Sequence, residues 1–420
     1  VRLSRATRRV YYGWWIVLGF VVLNVYWFGT LGVGLTVLFT PIRHTFGWSA
    51  ALLAGVLSLG SVATGLCAPL VGIIFDRSGP RGILLLATAC AALGMVLVAR
   101  ATGLASFVAP FVLVAIGLGI WASGTGPAAA GLWFDRRRGL AMGIIIGGSS
   151  IGGLLVPVWK LLVDAAGWRV TLVVAAVALC VVSVPCCLIM RHRPSDLGLL
   201  PDGDAAKEGN RSEGVALVTG DATLFDALAS WQFWLLSLAA ALLIAGSSAA
   251  TLLMLPRLQD ARLNSGVAVT AITLVTLLGA LGKPGCGWLA DRLDAERLAA
   301  LSAALQTVGL LAFALAPEQL PLLALFVLAF GLGQDNARIM LALICTRYFG
   351  LRAFGRIQGV LYLTLVVGRV GGPVLAGRLH DAGHGYGSGF LIFAALSLLA
   401  VPALLALRPP KHARFPAASA

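Results

Sequence analysis

Lys283, Asp335, Arg338 and Arg369 are ionisable side chains set inside long apolar stretches of the C-terminal half. A charge at the centre of a membrane helix costs roughly 2.5 to 3.5 kcal/mol even on insertion scales, so such residues face a watery cavity or one another. Three cations against one carboxylate leave that cavity with surplus positive charge, which suits an anionic solute. Asp335 and Arg338 stand three apart, so on one helix they share a face and can pair. Two roles are open to them. One is an internal ion pair that keeps both charges tolerable. The other is a proton-and-substrate relay, because an acid among cations favours its ionised form and takes up a proton once its partner leaves.

Weaker candidates for the opposite wall of the cavity are Asn24 and Trp27, which share a face of the first apolar span, and Tyr362, two turns before Arg369. Ser149 and Ser150 lie in a glycine-rich stretch. For all of these, helix packing competes with solute binding, since small and polar residues also join membrane helices. No catalytic constellation is present. The histidines (His44, His192, His380, His384 and His412) fall at span ends, in loops or in the tail, without ligand spacing. The seven cysteines all fall in apolar segments and form no CxxC pair, so neither a metal site nor a disulfide frame is expected. No cofactor is expected either, and the lack of a nucleotide-binding glycine loop speaks against ATP-driven work.

The elements that must hold these residues are membrane helices. Hydrophobic residues make up 59% of the 420, charged residues 11%, and the mean hydropathy is +0.94. That composition marks an integral membrane protein. The net charge of +14 comes from arginines that punctuate apolar runs as loop charges do, which excludes nucleic-acid binding as its meaning. Twelve apolar spans are predicted at about 14–39, 49–74, 81–101, 104–132, 139–164, 168–190, 230–256, 266–291, 296–316, 320–347, 354–379 and 387–407. The polar stretch 191–229 reads as a linker between two six-helix units, 1–190 and 230–420. Loop cations set the orientation. Arg2, Arg5, Arg8, Arg9, Arg136, Arg137, Arg138, Arg352, Arg356 and Arg408 fall on one side, against Arg43, Arg100, Arg169, Arg257, Arg262 and Arg378 on the other. The bias predicts both termini in the cytoplasm. The first apolar run leads straight into another, unlike a cleavable signal peptide. Val1 and the preference for Arg over Lys fit a GTG start in a GC-rich bacterial gene, hence a bacterial inner membrane.

The two units echo each other. Gly72, Asp76, Arg77, Gly79 and Arg81 follow the second span, and Gly287, Asp291 and Arg292 follow the eighth, 215 residues later; Trp133-Phe134 is matched by Tyr348-Phe349. Parallel six-helix repeats mark one class of secondary transporter. The loop at 72–81 resembles the signature of the major facilitator superfamily. Tyr12-Gly13-Trp14-Trp15, Phe46-Gly47-Trp48-Ser49, the run Trp133 to Gly143, Arg193 to Leu199, and Gly372-Pro373 with Ala376-Gly377 are similar to the monocarboxylate transporter family and its bacterial oxalate:formate exchanger branch.

The resemblance implies an all-α bundle of twelve transmembrane helices in two pseudo-symmetric halves. It also implies secondary transport of a small organic mono- or dicarboxylate by proton symport or anion exchange, by a membrane carrier that is not an enzyme and works as a monomer. A major facilitator efflux pump for an amphipathic drug or other metabolite is the alternative, against which the cationic surplus counts. Lys283 matches the place of a carboxylate-binding Arg on the eighth helix, as a point charge in place of a planar fork. Arg369 stands at about the place of a lysine that clamps the second end of a dicarboxylate. Proton-coupled relatives carry an acid where this chain has Gly279, which leaves Asp335 as the intramembrane acid. Asp76, Arg77, Arg81, Asp291 and Arg292 would form a gating latch, with the arginines pairing across to neighbouring helix ends.

Overall fold

The computed structural model describes residues 11–203, 222–261, 263–315, 318–334, 336–350, 353–379, 382 and 385–408. They form an all-helical bundle whose outer surface carries exposed leucines and valines such as Leu66, Leu154 and Val367, as a lipid-facing surface requires. Away from its ends a helix closes its backbone hydrogen bonds within its own segment, and this is why an apolar chain takes this form in a bilayer.

Each predicted span is found as a helix or a broken helix. The first is α1 (Tyr12–Trp27), continued through a π turn at Phe28–Gly32 into α2 (Leu35–Phe46). Gly47, at φ 68°, ends α2, and the Ser49 hydroxyl caps α3 (Ala50–Ser78) by accepting from Leu52 N. Gly79 at φ 71° and Pro80 then turn the chain into α4 (Pro80–Ala99). The fourth span is split into α5 (Leu104–Ala122) and α6 (Thr125–Trp133) by Ser123 and Gly124. The fifth and sixth form one apolar stretch of 52 residues, α7 (Arg138–Ile151), a short 3-10 turn and α8 (Val156–Ile189). At about 1.5 Å per residue this is far longer than one crossing. The chain reverses inside α8 at Gly167, whose φ of 78° only glycine adopts readily.

The second half follows the same plan. Helices α10 (Trp231–Asp260), α11 (Ser265–Ala290) and α12 (Ala295–Leu315) are its first three spans, and α15 (Phe354–Leu379) and α16 (Gly385–Ala406) its last two. The tenth span, like the fourth, is broken, into α13 (Leu320–Gly333) and α14 (Asn336–Phe349), where Gln334 takes an extended backbone. The described parts of the linker are not structureless. Asp202 accepts from the amides of Asp135 and Arg136, tying 191–203 to the first half. At the other end α9 (Leu224–Ala229), capped by Thr223, follows Ala222, whose N–H donates to Phe349 O in the second half.

Candidate functional site

The halves meet along two seams related by the internal repeat. In one, α3 packs on α15; in the other, α11 packs on α7. Gly287 faces Gly139 and Gly72 faces Gly355 so closely that a Cβ on any of the four would collide with the opposing carbonyl. One turn further in, a Cβ on Gly143 would stand 2.5 Å from Lys283 O, and one on Gly359 would strike Ala68 O. Spacing of four residues puts Gly139, Gly143 and Gly147 on one helical stripe, and Gly355 and Gly359 on another. Small residues there let backbones touch. The approaches extend inward to Gly147 against Ala280 and Gly65 against Val366, whereas Gly34 and Gly389, towards the other end, meet only their own half. The bundle is thus shut at the end where Asp76 and Asp291 lie, called here the latch end.

Each aspartate closes one seam by capping a helix of the opposite half. Asp291 accepts from Gly139 N at 2.5 Å and Leu140 N at 2.9 Å, at the start of α7. Asp76 accepts from Gly355 N at 2.9 Å and Arg356 N at 3.3 Å, at the start of α15, with the Arg356 guanidinium 3.4 Å away. Carboxylates at helix N-termini satisfy amides that have no partner in the helix and meet the positive end of its dipole. Burial pushes the Asp291 carboxyl above its ordinary range, while the two amides and Arg138 pull it the other way. The arginines predicted to pair across are placed differently. Arg77 and Arg81 are exposed and form no ion pair among the described residues, because the helix ends offer Asp76 its partners directly. Arg292 stacks over the Trp288 ring at 3.9 Å. Arg356 and the glycine stripes were not singled out from sequence, although the spacing of four and the repeat offset carried that signal.

Deeper in the α7–α11 seam lies Lys283, only 4% exposed. Its ammonium does not snorkel to the interface: Nζ donates to Ser150 Oγ of the other half at 2.7 Å. A cation at this depth is tolerated where polar groups receive it. On the neighbouring turn, the Gly279 notch is filled by Gln334 from the break in the tenth span. Gln334 Nε2 is 3.0 Å from the place of a Gly279 Cβ and donates to Val275 O at 3.1 Å. A neutral amide thus sits where proton-coupled relatives were expected to carry an acid.

Arg369 is half-buried midway along α15, and the flanking Gly368 lets α15 lie against Ala241 of α10. Tyr362, a buried side chain of the same helix, packs on Gly124 at the break between α5 and α6. Asn24 donates to Ile145 O at 2.9 Å, and Trp27 stacks on Trp121 with centroids 5.5 Å apart, so both join helices of the first half. Arg338 belongs to α14; its side chain and all of Asp335 lie outside the described residues, and with them the predicted ion pair.

An all-helical bundle of apolar spans in two matched halves, closed against each other at one end and with a buried cation deeper in one seam, has the form of a multi-pass membrane transporter. The chain belongs to the major facilitator superfamily: the family model of that description matches residues 18–334 and 264–420. Human monocarboxylate transporter 11 is 28% identical over 405 residues, covering 92% of this chain and 81% of its own. The fujikurins efflux protein of Gibberella fujikuroi is 36% identical, over 129 residues and 30% of this chain. Among solved structures, the human organic anion transporter MFSD10 superposes with a TM-score of 0.68 at 18% identity, covering 93% of this chain and 98% of that one. The superfamily and the transporter class expected from the motifs are therefore borne out, and the chain is a carrier and not an enzyme.

Proposed function

We propose that this protein is a secondary active transporter of a small organic carboxylate, moving it by alternating access between two six-helix units, 1–190 and 230–420. One observation carries the reading: a lysine ammonium buried in the membrane at the seam between the halves, bonded across to Ser150. An anion reaching Lys283 competes with Ser150 for that ammonium, so binding acts on a contact that holds the halves together. Arg369 supplies the second cation of the clamp, with Tyr362 and Arg338 as further lining groups. The likeness to monocarboxylate transporters supports a carboxylate as cargo.

The latch end faces the cytoplasm of a bacterial inner membrane in this reading, with both chain termini on that side and the monomer as the working unit. An anion that takes the place of Ser150 at the Lys283 ammonium acts on a contact between the halves, which favours exchange of one anion for another. Gln334 in the notch at Gly279 supports exchange as well. Proton symport requires Asp335 as its titrating acid.

The test is a thermal-shift screen of purified protein against mono- and dicarboxylates, followed by uptake of each stabilising compound into proteoliposomes. At least one carboxylate is expected to stabilise the protein and to be taken up. A panel without effect in both assays contradicts the reading. The efflux alternative draws on the similarity to the fujikurins efflux protein, and it predicts stabilisation by amphipathic compounds instead.

A further inference from the structure

The break in the fourth span places a helix N-terminus inside the membrane. Helix α6 begins at Thr125 after Gly124, whose φ is 88°, and no side chain caps it. The first amides of a helix have no partner in the helix, and Pro127 contributes no N–H, which leaves those of Thr125 and Gly126 at this end. Thr125 is itself buried. Across the boundary between the halves stands Gln358 of α15, one turn from the start of that helix. It is 2% exposed, and neither its amide nitrogen nor its amide oxygen has a hydrogen-bond partner. Its carboxamide carbon lies 3.3 Å from the place of a Gly124 Cβ, with the Tyr362 ring 3.0 Å from the same point. A buried amide without partners destabilises a fold, and a leucine here would avoid that cost. The polar side chain is aimed at an uncapped, electropositive helix end.

We propose that this junction is an anion subsite, where the amides of Thr125 and Gly126 and the Gln358 carboxamide receive a carboxylate of the transported solute. The proposal rests on the carboxylate reading above and adds a place for the anion on the α3–α15 side of the molecule, apart from Lys283 in the α7–α11 seam. In the latched state α15 covers the subsite. Parting of α15 from the first half at the latch end opens it, so the subsite acts on the leg of the cycle that exchanges solute with that side. Neither the loop signature nor the repeat carries any signal for it. By the offset that pairs Gly355 with Gly139, the mate of Gln358 in the first half is Met142.

The test compares the wild-type protein with Gln358→Leu and Gln358→Asn in detergent and in proteoliposomes, using formate, acetate, lactate and oxalate as probes. Gln358→Leu should melt no lower than wild type without ligand, lose at least half of the carboxylate-induced thermal shift, and raise the KM for uptake about tenfold or more. Gln358→Asn, which keeps the amide, should recover part of both. Wild-type KM and thermal shift in Gln358→Leu overturn the subsite while leaving the carboxylate reading intact. If the wild-type protein responds to none of the probes, both fall together. Should Gln358→Leu fail to insert, Gln358→Met, which keeps the length and drops the amide, is read by the same two outcomes.

Discussion

Gly143→Ala should force the latch open. A methyl group at this position would stand 2.5 Å from Lys283 O and 3.1 Å from Pro284 Cα, and both are backbone atoms that no rotamer change can move aside. An ordinary carbon-to-oxygen contact lies at about 3.3–3.6 Å, so α7 and α11 must separate by about 1 Å. One turn away, the Asp291 bonds to Gly139 N and Leu140 N are 2.5 and 2.9 Å long. The same displacement takes them to or beyond the useful limit of about 3.2 Å. Each is a hydrogen bond to a charged group worth about 1.5–3 kcal/mol, and the lower figure for two gives about 3 kcal/mol. That corresponds to roughly a 150-fold change in the ratio of latched to unlatched carriers. Spin labels at Ser78 of the first half and Arg297 of the second, both exposed at the latch end, would report it by pulsed electron-electron distance measurement. The distance distribution should move to a longer population in Gly143→Ala and stay put in Gly82→Ala, a helical glycine with nothing within 4 Å of its Cβ position. An unchanged distribution in Gly143→Ala refutes the claim that the glycine seam sets the closed state.

Asp76→Asn removes the charge from the α15 cap but keeps an acceptor, so it should shift the same distance distribution by about 1 kcal/mol, roughly fivefold, without changing solute affinity. Asp335→Asn should abolish uptake driven by an inward pH gradient yet spare solute exchange if Asp335 is the relay. If it only neutralises Arg338, the change should instead cost about 3–5 kcal/mol of stability, and the double change with Arg338→Gln should restore both stability and gradient-driven uptake. His192 sits against Gly79 and the Phe75 ring, and burial, with Arg193 nearby, holds its pKa below 6.5. The unfolded chain then binds the proton first as the pH falls through about 6.5, so the stability contributed by neutral His192 is present above that pH and lost below it. Melting scans from pH 7.5 to 5.5 should show a smaller acid-induced drop in His192→Gln than in wild type.

The sequence spoke most clearly where the bilayer constrains it. Span positions followed from hydropathy, because a helix is the way a chain satisfies its backbone in lipid, and the predicted 354–379 coincides with α15. Apolar length says nothing about continuity, however. The breaks at Gly124 and Gln334 interrupt runs that read as single spans, since one glycine or one extended residue hardly lowers a window average. The repeated aspartates lie at both seams, whereas Arg77 and Arg81 form no ion pair among the described residues. A loop motif does not reveal that the carboxylate points at backbone amides of the other half. Lys283 was singled out by its charge inside an apolar run and by its place in the family resemblance. Its contact with Ser150 was out of reach, because it depends on how two helices 133 residues apart in sequence are packed. Asn24 and Trp27 were selected as polar and aromatic residues sharing a face, and that face packs against the first half's own helices.

The central claim, that Lys283 receives a carboxylate during transport, is tested most directly by counterflow. Proteoliposomes loaded with a stabilising carboxylate and diluted into its radiolabelled form should accumulate label when they carry the wild-type protein. Those carrying Lys283→Gln at equal, correctly inserted amounts should accumulate none above protein-free vesicles. Counterflow by Lys283→Gln at the wild-type rate and half-saturation would contradict the account.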